Sequence, residues 1–409
     1  MERLKNFIII TTIISLSFTD IFGQNFEIDH LKKHIHFLAS NKLEGRSPGT
    51  EGEKLAYEYI QQQFIEAGLI AKGDSGFFQP FEYEKRVNPH DTIKREKIEK
   101  KGINVVGFLD NGAPTTIVIG AHYDHLGYGR SPKKHSRKYI HNGADDNASG
   151  TAGVLELAQY FGRNNKKENN NLLFICFSAE EDGLIGSKYF TAHPTIDLTQ
   201  VNFMFNMDMI GRFDNTSKKL MVNGIGTSPG YAGIFTSTQN ITPVTDSSGS
   251  GASDHTSFYQ KNIPVIHFFT GQHKDYHKPT DDANKINYEG LQLVLQYIAT
   301  KVEDLDNADK LSFTPTKQKD RQRSEFRVTL GIMPDYTYTG KGLRVDAVTD
   351  GKPAQNAGMK NGDIIQAIND QPVNDIYAYM QQLSKLEKGN TIKVSVLRKN
   401  DLLNLNVKL

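Results

Sequence analysis

Between residues 54 and 69 the apolar side chains Ala56, Ile60 and Phe64 recur at i, i+4 and i+8, and Gly68 closes the pattern. That spacing predicts an amphipathic helix covering one face of a sheet. The sheet's strands are short uninterrupted apolar runs at residues 104–109, 116–120, 172–177, 203–207 and 263–269. Between the second and third runs, Val154, Leu157, Ala158 and Phe161 return at helical spacing within residues 150–161. Strands alternating with helices specify an α/β sandwich.

The pattern then changes. Residues 304–325 are rich in Lys, Asp, Gln and Arg with few apolar positions, which reads as a linker. Beyond it, strand signals at 327–332, 342–348, 363–368 and 391–397 surround one helical stretch, 376–386, so a second, small β-rich domain follows. No internal repeat is evident. At the other end, Arg3 and Lys5 precede an apolar run at 7–18 that is short for a bilayer span and broken by Thr11, Thr12 and Ser15. Small Gly23 sits where cleavage would follow. Residues 1–23 are expected to be a signal peptide, giving a secreted or periplasmic protein with no stable membrane anchor after cleavage. The expected organisation is signal peptide 1–23, first domain 24–308, linker 309–323 and second domain 324–409.

Composition narrows the function. The 409 residues carry 48 Lys+Arg against 47 Asp+Glu, so no net field draws the chain to nucleic acid, and no nucleic-acid partner is expected. The single cysteine, Cys176, forms no intramolecular disulfide, so an exported chain must fold without bridges.

The candidate chemistry lies just past the predicted strands. His122 and Asp124 follow TIVIGA, Glu180 and Glu181 follow LLFICFSA, and Asp208 follows FMFNM. Open α/β sheets build their sites at the carboxyl ends of strands, where turn residues would otherwise prevail. Asp145 and Asp146 in NGADDNASG and His277 in DYHKPTDD lie in loops. Each has a plainer role open to it, an N-cap for the Asp pair and a solvated turn for the Glu pair. Most of the remaining histidines, among them His125, His135, His141, His193, His255, His267 and His273, are assigned to the surface or to hydrogen bonds. Imidazole and carboxylate donors without thiolate suit Zn²⁺, and also Mn²⁺ or Co²⁺. Were His122, Asp208, Glu181 and His277 terminal ligands and Asp146 a bridge, three carboxylates would oppose the four charges of two metals, and one hydroxide would neutralise the remainder.

In GAHYDHLG, NGADDNASGTAGVLELA, SAEEDGLIGS, NMDMIGR and YHKPTDD, with LASNKLEGRSPGTEGEKLAYEYI upstream, the chain resembles the co-catalytic di-zinc exopeptidases, bacterial leucyl aminopeptidases among them, over about residues 28–300. The resemblance implies a three-layer sandwich with a mixed central sheet and helices on both faces. It implies one Zn²⁺ on His122 and Asp208, a second on Glu181 and His277, Asp146 bridging both, and Glu180 as general base to a metal-bridging hydroxide. Asp124 matches the carboxylate that orients the His122 imidazole, and Asp146-Asn147 the family's non-proline cis bond. Tyr276 matches a tyrosine that polarises the substrate carbonyl in some members, with packing an equal alternative. The segment 127–140, with Arg130, Lys133, Lys134, Arg137 and Lys138, is longer and more basic than in the simplest members, as a solvated loop or a substrate contact. The pattern assigns no residue to the substrate's α-amine.

TLGIMPD and GLRVDAVTDGKPAQNAGMKNGDIIQAINDQPV resemble the PDZ modules of bacterial envelope proteases over residues 324–409. Leu330, Gly331 and Ile332 match the loop that captures a C-terminal carboxylate while the peptide adds as a strand, so protein C-termini are expected partners, with simple packing as the alternative. The function implied is a zinc aminopeptidase acting on peptides. A glutaminyl cyclase, or a carboxypeptidase or dipeptidase of the same fold, is the alternative. The cyclases work with one zinc, whereas both ligand sets are present here. A binding protein that kept the fold and lost the chemistry should lack ligands or base, and none is missing. Two G-x-S-x-G matches suggest a serine hydrolase, but the residues after the serines, Pro48 and Pro229, have no N–H for an oxyanion hole.

Overall fold

The computed structural model describes residues 26–86, 97–129, 139–316, 328–334, 340–348, 351–374, 376–399 and 401–409. The expected signal peptide 1–23, the basic side chains between residues 130 and 138, and residues 317–323 of the expected linker lie outside them.

In chain order the first domain runs α1 (Ile28–Leu38), α2 (Glu51–Glu66), β1 (Ile70–Ala71), β2 (Phe78–Arg86), β3 (Lys97–Leu109), β4 (Thr116–His122), α3 (Gly150–Arg163), β5 (Asn171–Phe177), α4 (Ile185–Ala192), β6 (Val201–Met207), β7 (Lys219–Asn223), β8 (Thr242–Asp246), α5 (His255–Tyr259), β9 (Val265–Phe269) and α6 (Tyr288–Asp306). Helix α2 begins three residues before the predicted start, because the Thr50 hydroxyl caps it by accepting the Glu53 N–H. The strands form one mixed sheet in the order β1-β3-β5-β4-β6-β9-β7-β8, with β2 paired to β3. Its centre is parallel: β5, β4, β6 and β9 run side by side in the same direction.

The apolar runs are continuous because both faces of these strands are covered. Ile117, Ile119, Leu172, Phe174 and Cys176 pack in the core that also takes Leu155 of α3 and Leu295 of α6, while Val118, Leu173, Ile175 and Phe177 pack in the core with Phe190 of α4 and Phe258 of α5. Successive residues alternate between the two cores, the period of two that a strand imposes. This is the expected three-layer sandwich with helices on both faces. The periodicity underestimated β3, whose outer half pairs with β2 in a long antiparallel hairpin from Phe78↔Val105 to Arg86↔Lys97. That half is exposed and polar, so no apolar run marks it. Strand β7 and the edge strand β8 were not marked by such runs either.

The second unit has its own core, including Leu330, Leu343, Val345, Ile365, Val394 and Val407. Its antiparallel sheet comprises β10 (Ile332–Pro334), β11 (Leu343–Val348), β12 (Ile364–Ile368), β13 (Gln371–Pro372), β14 (Thr391–Arg398) and β15 (Asp401–Lys408), with short helix α7 (Pro353–Asn356) and α8 (Ile376–Ser384). Strand β15 was not predicted: its burial alternates weakly and Leu402 is exposed. Gly331 has φ 73°, and a Cβ there would lie 2.1 Å from Lys352 Cβ, so this position of the loop before β10 requires glycine.

Candidate metal centre

Four neighbouring parallel strands end at one edge, so the residues after them converge. His122 is the last residue of β4, in register with Phe177 of β5. Beyond β5, Ala179 has φ 56° and turns the chain so that Glu180 and Glu181 follow at once. Asp208 follows β6, and Met209 after it has φ 52°; His277, with φ 54°, comes from the loop beyond β9. Left-handed backbone at non-glycine residues is uncommon, and three of these four approaches to the site use it.

Asp146 arrives from a different direction, in the loop before α3. Its bond to Asn147 is cis, as the resemblance implied. The loop is held from behind: Asp281 accepts the backbone N–H of Asp145 at 2.9 Å and of Asp146 at 3.1 Å, and Arg212 pairs with Asp281 at 3.3 Å. His273 meets Asp145 at 3.0 Å. Asn147 ties the loop to the end of β6, accepting the Met209 N–H at 3.1 Å and donating to the Met207 carbonyl at 3.0 Å.

These side chains form two clusters that share Asp146. In the first, His122 Nε2 is 3.5 Å from both Asp146 Oδ1 and Asp208 Oδ1, with Glu180 Oε2 at 3.9 Å. In the second, His277 Nε2 lies 3.1 Å from both Asp146 Oδ2 and Glu181 Oε2. All five residues expected as ligands thus come together, with Glu180 beside them. Tyr276 stacks on the His277 ring with centroids 3.8 Å apart, a packing contact. Leu330 lies in the core of the second unit, Ile332 packs against that core, and Gly331 joins the two.

Asp124 stands beside the His122 ring and makes further contacts. Its backbone carbonyl is the group within hydrogen-bond distance of His122 Nδ1, at 3.3 Å, while its carboxylate stands 3.7 Å from that nitrogen. The carboxylate also accepts the backbone N–H groups of Glu180 at 3.0 Å and Glu181 at 3.4 Å. A residue two positions from His122 therefore holds the turn that carries the glutamates.

The adjacent glutamates have opposite electrostatics. Burial, opposed by His122, pushes the Glu180 carboxyl well above the usual carboxylate range. Burial also acts on Glu181, but the close approach of the His125 and His277 imidazoles overcomes it and holds that group well below the range. Glu180 is disposed to hold a proton and Glu181 to remain an anion.

A metal fits this arrangement. Asp146 Oδ2, Glu181 Oε1, Asp208 Oδ1 and both ring nitrogens of His125 are buried without a hydrogen-bond partner. Buried polar atoms are nearly always paired, so five such atoms around two clusters of imidazole and carboxylate leave a need that Zn²⁺ would meet.

Several residues here carried no sequence signal that was used. His125, assigned to the surface or to hydrogen bonds, is buried, with Nδ1 2.8 Å from Glu181 Oε1. Its position three residues after His122 in GAHYDHLG was the available hint. Arg46 is fully buried and donates to the carbonyls of Tyr123 at 2.7 Å, Asn142 at 2.7 Å and Gly143 at 3.0 Å, and also to Leu38, joining the loop after β4 to the loop before Asp146. Asp254, beside α5, is buried, and burial pushes its carboxyl up to about 7.

Residues 104–302 match the family model described as Peptidase family M28, and residues 311–409 match that of the PDZ domain. Aminopeptidase YwaD of Bacillus subtilis is 28% identical over 222 residues, covering 52% of this chain and 46% of that protein. The chain spans about half the length of the first curated relatives it matches. Among solved structures, the aminopeptidase from Aneurinibacillus sp. strain AM-1 superposes with a TM-score of 0.54 at 19% identity, covering 72% of this chain and 97% of that one. Porphyromonas gingivalis glutaminyl cyclase also superposes with 0.54, at 16% identity over 68% and 98%. Likeness at these identities establishes the fold that the two enzymes share.

Proposed function

Because the chain belongs to peptidase family M28, with a PDZ domain behind its peptidase domain, we propose that it is an aminopeptidase that removes N-terminal residues from peptides with two Zn²⁺ ions. The observation that carries this reading is the pair of donor clusters joined by Asp146, with Glu180 next to them. His122 and Asp208 would hold one ion, Glu181 and His277 the other, and Asp146 both. Bound there, the metals polarise the scissile carbonyl and lower the pKa of water.

The protein's own residues supply the proton transfers. Glu180, as a carboxylate with the positive charge of bound metal beside it, would take a proton from the attacking water and deliver it to the departing amide nitrogen as the C–N bond breaks. Asp124 fixes the backbone from which Glu180 projects. Glu181, kept anionic, serves charge balance. Products are a free amino acid and a peptide shorter by one residue.

The test is metal analysis of the purified protein with an assay on amino-acyl anilides, short peptides and N-terminal glutaminyl peptides. Two zinc ions per chain and release of N-terminal amino acids are expected. Fewer than two metals after reconstitution together with no such release would overturn the reading, and cyclisation of glutaminyl substrates would favour the alternative.

Export through residues 1–23 is part of the proposal, read by N-terminal sequencing of the protein recovered outside the cytoplasm. The PDZ domain is proposed to bind peptide C-termini at Leu330, Gly331 and Ile332. Peptides with a free carboxylate should bind the full chain and lose binding on amidation, whereas equal binding of both forms would point to packing.

A further inference from the structure

The two clusters are not equivalent. Donors on one tetrahedral ion, each about 2.0 to 2.1 Å from it, stand about 3.3 Å apart. Around the first point three protein donors meet that spacing, His122 with Asp146 and Asp208 at 3.5 Å. Around the second point two carboxylates, Glu181 and Asp146, stand beside two imidazoles, His277 and His125. Glu181 is 2.8 Å from His125 Nδ1 through one oxygen and 3.1 Å from His277 Nε2 through the other, and Asp146 Oδ2 is 3.1 Å from His277 and 3.9 Å from His125 Nδ1.

His125 is placed there by the fold. Its side chain has no solvent exposure, and both of its ring nitrogens lack a hydrogen-bond partner. The ring lies against the backbone of Gly143, where a Cβ would come within 2.6 Å of Cγ and Cδ2, so the glycine at φ 55° leaves the ring its room. A buried imidazole with neither nitrogen satisfied is costly, and its Nδ1 faces the two carboxylates that serve the second site.

Resting on the two-metal reading above, we propose that His125 is a fourth protein ligand, through Nδ1, at the site of Glu181, His277 and Asp146. The sites then differ in kind. The second is closed by four protein donors, as in structural zinc sites, and the first keeps an open position, as in catalytic ones. The site with four protein donors would bind its ion more tightly.

The experiment measures zinc binding to the full-length chain stripped of metal, by competition with a chromophoric chelator, for wild type, His125→Ala and His125→Gln. Gln can offer Glu181 an amide hydrogen bond but supplies no imidazole. Wild type should bind two ions with unequal affinity. Both variants should weaken the tighter site at least about tenfold while changing the weaker one by less than about threefold, and imidazole should restore the affinity of His125→Ala. Thermal unfolding of the metal-free forms checks that each variant folds, and the Gln variant decides alone if the Ala variant does not. Wild-type affinities in His125→Gln would overturn the proposal, because they would reduce His125 to a hydrogen-bond partner, while two bound ions in the wild type would leave the peptidase reading standing. A wild type unable to hold two ions would overturn that reading itself.

Discussion

The carboxylate of Asp124 accepts the backbone N–H of Glu180 at 3.0 Å, linking the loop after one strand to the turn after its neighbour. Its second oxygen reaches the N–H of Glu181 at 3.4 Å. Asp124→Asn keeps the size but presents an NH₂ to one of these N–H groups. The turn should shift, lowering kcat by about 10- to 100-fold with little change in KM. Wild-type kcat would mean that the contacts of Asp182 with Tyr83 and Lys100 suffice to hold the turn.

Glu180 and Glu181 should separate on amide replacement. Glu180→Gln should keep its metals and lose about 10² to 10⁴ in kcat, with KM nearly unchanged because the loss is confined to the transition state. Glu181→Gln should lose activity together with one metal and recover part of it in excess zinc. Metal analysis beside steady-state kinetics reads both, and the reverse pattern would exchange the roles.

Glu53 makes stability depend on pH. Burial raises its carboxyl from 4.5 to about 7, outweighing the hydrogen bonds from Ser178 and Gly49. A carboxyl raised on folding favours the protonated form, so its stabilisation is intact below about pH 4.5 and is lost as pH climbs through 7. Relative to Glu53→Gln, which mimics the protonated group, the wild type should lose about 3 kcal/mol between pH 4.5 and 8. Denaturant unfolding of the metal-free proteins at several pH values measures this, and parallel curves would show that Glu53 is ionised in the fold.

Arg46→Lys tests a residue outside both clusters. The guanidinium serves four backbone carbonyls from three segments, and burial lowers its pKa to about 10. An ammonium has no planar fork to reach them all. Leaving carbonyls unpaired should cost about 2 to 4 kcal/mol, measured by denaturant unfolding. Activity should fall too, since His125 and Asp146 sit on the loops that Arg46 joins.

The strand cores and their ends were legible because β4, β5 and β6 are buried on both faces and so read as unbroken apolar runs that stop at polar residues. That alone placed His122, Glu180, Glu181 and Asp208 at one sheet edge. The motifs around Asp146 and His277 resembled a family, and the fold brings both residues to that edge. Local pattern could not reveal what depends on distant partners. The outer half of the β2–β3 hairpin is polar because most of its side chains on β3 face solvent. Arg46 looks like any charged residue until the carbonyls of Asn142 and Gly143, nearly a hundred positions away, close around it. His125 and Asp124 show the limit most clearly. They stand side by side in GAHYDHLG, and nothing in that string says that the aspartate turns to the backbone of Glu180 while the histidine turns to the side chain of Glu181. Those directions are set by the pairing of β4 with β5, a long-range contact that only the folded chain provides.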